Sequence, residues 1–243
     1  INSINLADME GVPPVEVTGQ VRWFKRPTPG NTYLTSLDPA MGTGGDYAAI
    51  QVFELPSFEQ VAEWHHNTTP MNQQVRILQQ INKHIHDAIM EKDTTASPQI
   101  FYSMENNTIG EAALLRVMDI GEENIQGMFL SEPIRKGHRR KFRRGFNTTA
   151  KHKIDACTKF KELVENGKMK INSQLLISEL KDFVASGMSY KAKAGQHDDL
   201  VSACLLMTRM MKVLADFDPK IFEKWTDRTS ELKPMPVFGS FYG

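Results

Sequence analysis

Two β-like runs stand on either side of a short glycine-rich connection. The first, TYLTSLD, covers residues 32–38, and the second, DYAAIQVFEL, covers residues 46–55. The seven residues between them include three glycines, a spacing that predicts a β-hairpin. Residues 57–66 (SFEQVAEWHH) read as a third strand or as a helical turn. After Pro70, the residues Val75, Leu78, Ile81, Ile85 and Ile89 recur at spacings of three and four, which predicts an amphipathic helix over 71–91. QIFYSME (99–105) reads as a strand, and Thr108 with Glu111 fits a capping box opening a helix through Met118. A short strand is expected at 125–130. Helices are expected at 148–165, at 172–185 with Leu175, Leu176, Leu180 and Phe183 on one side, and at 197–216. A hairpin followed by alternating helices and strands defines an α/β domain with a mixed sheet flanked by helices.

Residues 1–30 carry Pro13, Pro14, Pro27 and Pro29. They read as an N-terminal arm or linker, with an edge strand in the run Val15, Val17, Val21, Trp23. Residues 31–216 hold the α/β domain. Residues 217–243 end in PMPVFGSFYG, apolar and nearly uncharged, and read as a tail that packs on or near the domain. No apolar run approaches the ~18 residues of a membrane helix, so no membrane partner is expected. Cys157 and Cys204 are too few for a disulfide framework, which points to a reducing compartment.

The chain has 29 Lys+Arg against 29 Asp+Glu, and a net charge of zero would ordinarily argue against a nucleic-acid partner. The zero is uneven. Residues 135–153 hold nine basic residues (Arg135, Lys136, Arg139, Arg140, Lys141, Arg143, Arg144, Lys151 and Lys153) and no acidic one, leaving 20 basic against 29 acidic residues elsewhere. Phe142 and Phe146 are interleaved with them. Such a cluster suits a phosphate backbone, whose counterions Lys and Arg displace. It also suits a solvated loop, or a surface that binds the acidic part of its own chain.

Carboxylates fall at the junctions between elements. Asp38 ends the first strand, Asp46 starts the second, Glu105 ends the strand before the expected capping box, and Asp198 and Asp199 open the last helix. Each has an ordinary reading: a turn residue before Pro39, hairpin chemistry, a surface acid, a helix N-cap. Their conjunction points further, because strand ends and a helix start can converge at one edge of an α/β sheet. Carboxylates gathered there repel unless a cation joins them, and hard oxygen ligands favour Mg²⁺ or Mn²⁺. Two such ions would serve phosphodiester cleavage. His197 stands beside them as a hydrogen-bonded neighbour or a proton-transfer group. His65, His66, His84 and His86 lack metal-ligand spacing and are assigned to surface or packing. GTGG (42–45) lacks a phosphate-loop ending and precedes a strand, and no ATPase motif occurs.

LTSLDPAMGTGGDYAAIQVFEL, QIFYSMENNTIGEAA and GQHDDLVSACLLM, in that order, resemble the nuclease domain of the large terminase subunit of tailed bacteriophages, particularly the myovirus type. The match spans roughly residues 30–215. The resemblance implies an RNase H-like fold related to RuvC resolvases. It implies that Asp38, Glu105 and the Asp198–Asp199 pair are the catalytic, metal-binding acids, with Asp46 as an auxiliary acid. It further implies Mg²⁺- or Mn²⁺-dependent cutting of double-stranded concatemeric DNA during headful packaging, in the cytoplasm of the infected host and apart from the mature virion. The implied partners are the N-terminal ATPase domain of a full-length chain, the portal protein and the small terminase subunit. Alternatives are a RuvC-like junction resolvase and a non-catalytic DNA-binding or docking module of a packaging motor.

Overall fold

The computed structural model describes residues 9–133, 144–186 and 189–217. A small hairpin, β1 (Glu16–Thr18) and β2 (Val21–Trp23), lies within the N-terminal 30 residues and continues the sheet by pairing antiparallel with β5 (Glu59–His66). The glycine-linked hairpin forms as β3 (Thr32–Asp38) and β4 (Ala48–Leu55), paired from Thr32 opposite Leu55 to Asp38 opposite Ala49. The ambiguous run at 57–66 is a strand: β5 pairs antiparallel with β4 and buries Trp64 completely. Between Val52 and Phe53 the register shifts past Val61, whose carbonyl accepts the N–H groups of Phe24 and Lys25 instead. This bulge lets β5 hold the arm and the hairpin at once.

The chain then crosses the sheet through α1 (Met71–Lys92) and returns as β6 (Gln99–Met104), parallel to β3. α2 (Gly110–Ile120) leads to β7 (Met128–Phe129), parallel to β6 and much shorter than the strand expected at 125–130. Three helices follow: α3 (Ala150–Glu165), α4 (Gln174–Asp182) and α5 (Asp199–Phe217). The seven-stranded mixed sheet runs β1-β2-β5-β4-β3-β6-β7.

Side-chain alternation sends the strands' apolar residues to two cores. Tyr33, Leu37, Ile50, Val52 and Trp64 face α1, which buries its predicted stripe Val75, Leu78, Ile81, Ile85 and Ile89, and α2, through Ala113, Leu114 and Val117. Leu34, Ala49, Phe53 and Leu55 pack with α3, α4 and α5 on the other side. The helix α5 is apolar nearly all round, with Leu200, Val201, Cys204 and Met207 wholly buried. Cys157 and Cys204 are separate buried thiols.

Two sequence readings need correction. The helix expected at 172–185 stops at Asp182, because Phe183–Ser186 (β8) pairs antiparallel with Ser189–Ala192 (β9). Its buried face is Leu176, Ile177 and Leu180, while Leu175 is exposed. The Thr108–Glu111 capping box does not form. Asn107 caps the turn instead: its Oδ1 accepts the Gly110 N–H at 2.7 Å and its carbonyl accepts the Glu111 N–H at 3.0 Å.

Gly110 ties this turn to the preceding strand end. A Cβ there would lie 1.8 Å from the Glu105 carbonyl oxygen. Gly110→Ala is therefore expected to cost about 1–3 kcal/mol of unfolding free energy in urea titration, as other overpacked positions do. A variant as stable as wild type would show that the Glu105 turn moves aside freely.

Candidate active site

Because β3 and β6 are parallel neighbours, their C-terminal ends emerge at one edge of the sheet. Asp38 is the last residue of β3, and Glu105 follows β6 directly. The ladder carries on past the strand: Glu105 N–H donates to Leu37 O at 3.2 Å. On the other side of Glu105, Phe146 N–H donates to Met104 O at 3.2 Å, and Asn106 N–H donates to Phe146 O at 2.7 Å. The Asn107 amide donates to Glu105 Oε2 at 3.3 Å. The helix α5 packs across β3 and β4, where Ser36 Oγ donates to Ala203 O at 2.8 Å. That contact brings the N-terminal end of α5, with Asp198 and Asp199, to the same edge.

These four acids feel one another. Burial pushes the Asp38 carboxyl well above the usual carboxylate range, helped by the charge of Glu105, a hydrogen bond to Glu105, and the charges of Asp199 and Asp198. Burial and these neighbouring charges favour the protonated form of Asp38. Asp199 is pushed up to about 6, mainly by burial, with Asp198 and Asp46 adding to the rise and His197 opposing it. Asp46 itself is exposed, two residues ahead of β4. His197 is also exposed, with Nδ1 3.5 Å from Asp199 Oδ2.

Two further residues adjoin this edge, and one of them, Glu179, escaped the sequence reading. Glu179, on α4, is pushed up to about 8 by burial and by Asp199 and Asp198, while the N–H groups of Val201 and Leu200 pull it down. His65, at the end of β5, has Nε2 3.8 Å from Glu179 Oε1. Burial, then Arg22, lowers it to about 4, so its imidazole is neutral. It stacks on Tyr47 with ring centroids 4.1 Å apart, and Tyr47 meets His197 edge-on at 4.9 Å. His65 thus packs on Tyr47, within its assignment to surface or packing, and does so beside the acids. The signal for Glu179 was present: it interrupts the apolar stripe between Leu176 and Leu180.

The basic residues divide. Arg135, Lys136, Arg139, Arg140, Lys141 and Arg143 lie outside the described residues. Arg144 is ion-paired with Glu122, so its charge is already engaged. Lys151 is exposed on the first turn of α3. Lys153 reaches the acids, with Nζ 3.7 Å from Asp198 Oδ2 and 5.7 Å from the Phe183 ring centre. The described residues on either side of 134–143 lie close together beside Glu105. Glu132 N–H donates to Gly145 O at 3.2 Å, and Gly145 N–H donates to Ser131 Oγ at 3.1 Å. Arg209 of α5 ties both sides: it donates to Glu132, to Asn147 O at 3.0 Å and to Thr148 Oγ1 at 2.9 Å, and it lies over the Phe146 ring.

The donor set suits a hard divalent cation. It is all carboxylate oxygen, and Asp199 Oδ2 is buried with no hydrogen-bond partner. Among the described residues, no three His, Cys, Asp or Glu side chains are gathered tightly enough to hold an ion as they stand. A cation that keeps several waters and takes only one or two carboxylates directly fits such an open site.

Acids at the ends of two parallel strands and at the start of a helix crossing a mixed sheet define the site of an RNase H-like fold. The chain belongs to the terminase RNaseH-like domain family, whose model matches residues 35–210. Solved structures agree on the fold. The large terminase nuclease of thermophilic phage G20c with bound magnesium superposes with a TM-score of 0.61 at 17% identity, covering 84% of this chain and 94% of that one. The large terminase nuclease domain of Thermus phage P74-26 gives 0.59 at 17% identity, covering 84% and 92%. The manganese-soaked, inhibitor-bound human cytomegalovirus terminase nuclease domain gives 0.50 at 13% identity, covering 79% and 86%.

The raised carboxyls fix the sign of a pH effect. In the folded chain Asp199 and Glu179 keep protons to about 6 and about 8, whereas the unfolded chain releases them near the ordinary values of 3.8 and 4.5. Over that window the folded state binds more protons, so their contribution to stability is full below about 4 and is lost as pH rises. Thermal melts in metal-free buffer should show wild type losing stability relative to Glu179→Gln between pH 5 and pH 8, as "about 8" for Glu179 requires. A difference that stays flat or reverses would refute the burial-raised carboxyl.

Proposed function

We propose that this chain is a divalent-metal-dependent endonuclease that cuts double-stranded concatemeric viral DNA during headful genome packaging. The observation that carries the reading is the convergence of Asp38, Glu105 and Asp199 at one sheet edge in a terminase-family chain. The magnesium in the G20c relative supports it. Asp38, Glu105 and the Asp198–Asp199 pair would hold Mg²⁺ or Mn²⁺, in one or two ions. Bound there, the metal supplies a water made nucleophilic near neutral pH and offsets charge on the leaving oxygen.

The chain's own residues prepare that chemistry. Asp199 is the better ligand of the pair, since its buried Oδ2 has no partner while Asp198 Oδ2 already accepts the Ala192 N–H at 3.3 Å. His197 orients Asp199 from the solvent side. Lys153 carries positive charge to the rim of the acid cluster, where a phosphate would approach. The described residues on either side of Arg135 to Arg143, Glu132 and Gly145, meet near Glu105, and the basic run would hold backbone phosphates. The same reading makes the ATPase domain of a packaging motor, its portal and its small subunit the partners, and the infected host's cytoplasm the place of action.

Plasmid cleavage tests the proposal. Wild type with Mg²⁺ or Mn²⁺ should nick and linearise supercoiled DNA. Asp38→Asn should lose at least about 100-fold, because even an outer partner of a metal ligand is worth 10–100-fold. Equal cutting by both proteins, or none by either, would sink the assignment. In DNA-binding titrations, replacing Arg139, Arg140 and Arg143 by Gln should lower the log–log salt slope by up to about 3, near 0.9 per phosphate contact. An unchanged slope would remove the segment from the DNA surface.

A further inference from the structure

An Asp at a helix N-cap ordinarily spends its side chain on its own helix, accepting the N–H of the second or third residue. Asp198 holds that position on α5: its carbonyl accepts the Ser202 N–H at 2.7 Å. Its side chain does something else, accepting the Ala192 N–H of β9 at 3.3 Å and facing Lys153. Of the two N–H groups it would have capped, that of Val201 donates to Glu179 of α4 at 3.1 Å, and that of Leu200 lies toward the same carboxyl. Glu179 is well placed for this. Its side chain is 11% exposed, its other oxygen faces His65 Nε2, and His65 is held by the Tyr47 ring. The Tyr47 N–H in turn donates to the Asp199 carboxylate.

We infer that Glu179 is a positioning residue: it caps α5 from a separate helix and so frees the Asp198–Asp199 carboxylates for the metal site. The inference rests on the metal-binding reading above. Glu179 itself touches neither substrate nor metal. Without its cap, the Leu200 and Val201 N–H groups draw Asp198 or Asp199 back as an acceptor, which removes a carboxylate from the cluster. The part Glu179 plays needs an acceptor oxygen and not a charge. A Gln carbonyl oxygen has two lone pairs and can serve both N–H groups.

Three variants separate the cases. Glu179→Gln keeps the acceptor, Glu179→Ala removes it, and Glu179→Met removes it while keeping most of the volume, should the alanine variant not fold. Amide hydrogen exchange at Leu200 and Val201, read on metal-free protein, should stay slow in wild type and E179Q and quicken at least about 10-fold in E179M, the factor that loss of about 1.4 kcal/mol of protection gives. Calorimetric Mn²⁺ affinity should fall about 10–100-fold in E179M and E179A and be restored in E179Q. Unchanged amide protection in E179M would overturn the cap. Mn²⁺ binding as weak in E179Q as in E179M would overturn positioning in favour of a ligand charge. The underlying metal reading fails in a different way, through a wild type that binds no Mn²⁺; Glu179 would then be a cap of the fold and its positioning role would fall too.

Discussion

Mutual repulsion among Asp38, Glu105, Asp198 and Asp199 is the constraint to which the fold answers. Two unit charges 4 Å apart at an effective dielectric near 20 oppose each other by about 4 kcal/mol. Burial and these neighbours push the Asp38 carboxyl toward its neutral form, which relieves part of this. The remainder is overcome by elements that have no freedom to separate. The strands β3 and β6 are locked in a parallel ladder, and α5 is fixed by a helix face with Leu200, Val201, Cys204 and Met207 wholly buried. Burying one such side chain contributes roughly 1.5–3 kcal/mol, so two helical turns of them outweigh the repulsion at the helix end.

Other buried carboxylates show what a purely structural acid looks like in this chain. Glu63 is 1% exposed, yet it receives Arg22, Ser173 Oγ at 2.5 Å and Gln51 Nε2 at 3.3 Å. Glu54, equally buried, is met by Lys25, by Asn31 Nδ2 at 3.0 Å and by Ser57 Oγ at 2.7 Å. Asp199 differs because its Oδ2 is buried and makes no hydrogen bond, with only the exposed His197 ring near it. The contrast between supplied and unsupplied carboxylates marks the sheet edge as a place kept ready for a cation.

Much of this was legible in the residues. The glycine-linked hairpin, the α1 stripe and the all-apolar α5 carry period-2 and period-3.6 patterns strong enough to read alone, and the acids at their ends follow from them. What failed was set by tertiary contact. β5 carries no clean alternation, since both its faces are buried, so the run could pass for a helical turn. The helix α4 gives way to β8 because Phe183–Ser186 finds a partner strand, which no local propensity announces. Glu179 interrupts an apolar stripe, which marks it as unusual without saying what it meets. Only the packing of α4 against α5 turns it toward another helix's free N–H groups.

One helix carries both the acid doublet and the Arg209 fastening that ties down the ends of the basic segment. Asp199 and Arg209 are ten residues apart in α5, which at about 1.5 Å per residue sets them about 15 Å apart along its axis. That separation is fixed by a buried rod and not by the loops it joins. The helix thus acts as a gauge between the roots of the basic segment and the carboxylates, and either end can be displaced relative to the other only by bending or unseating the core.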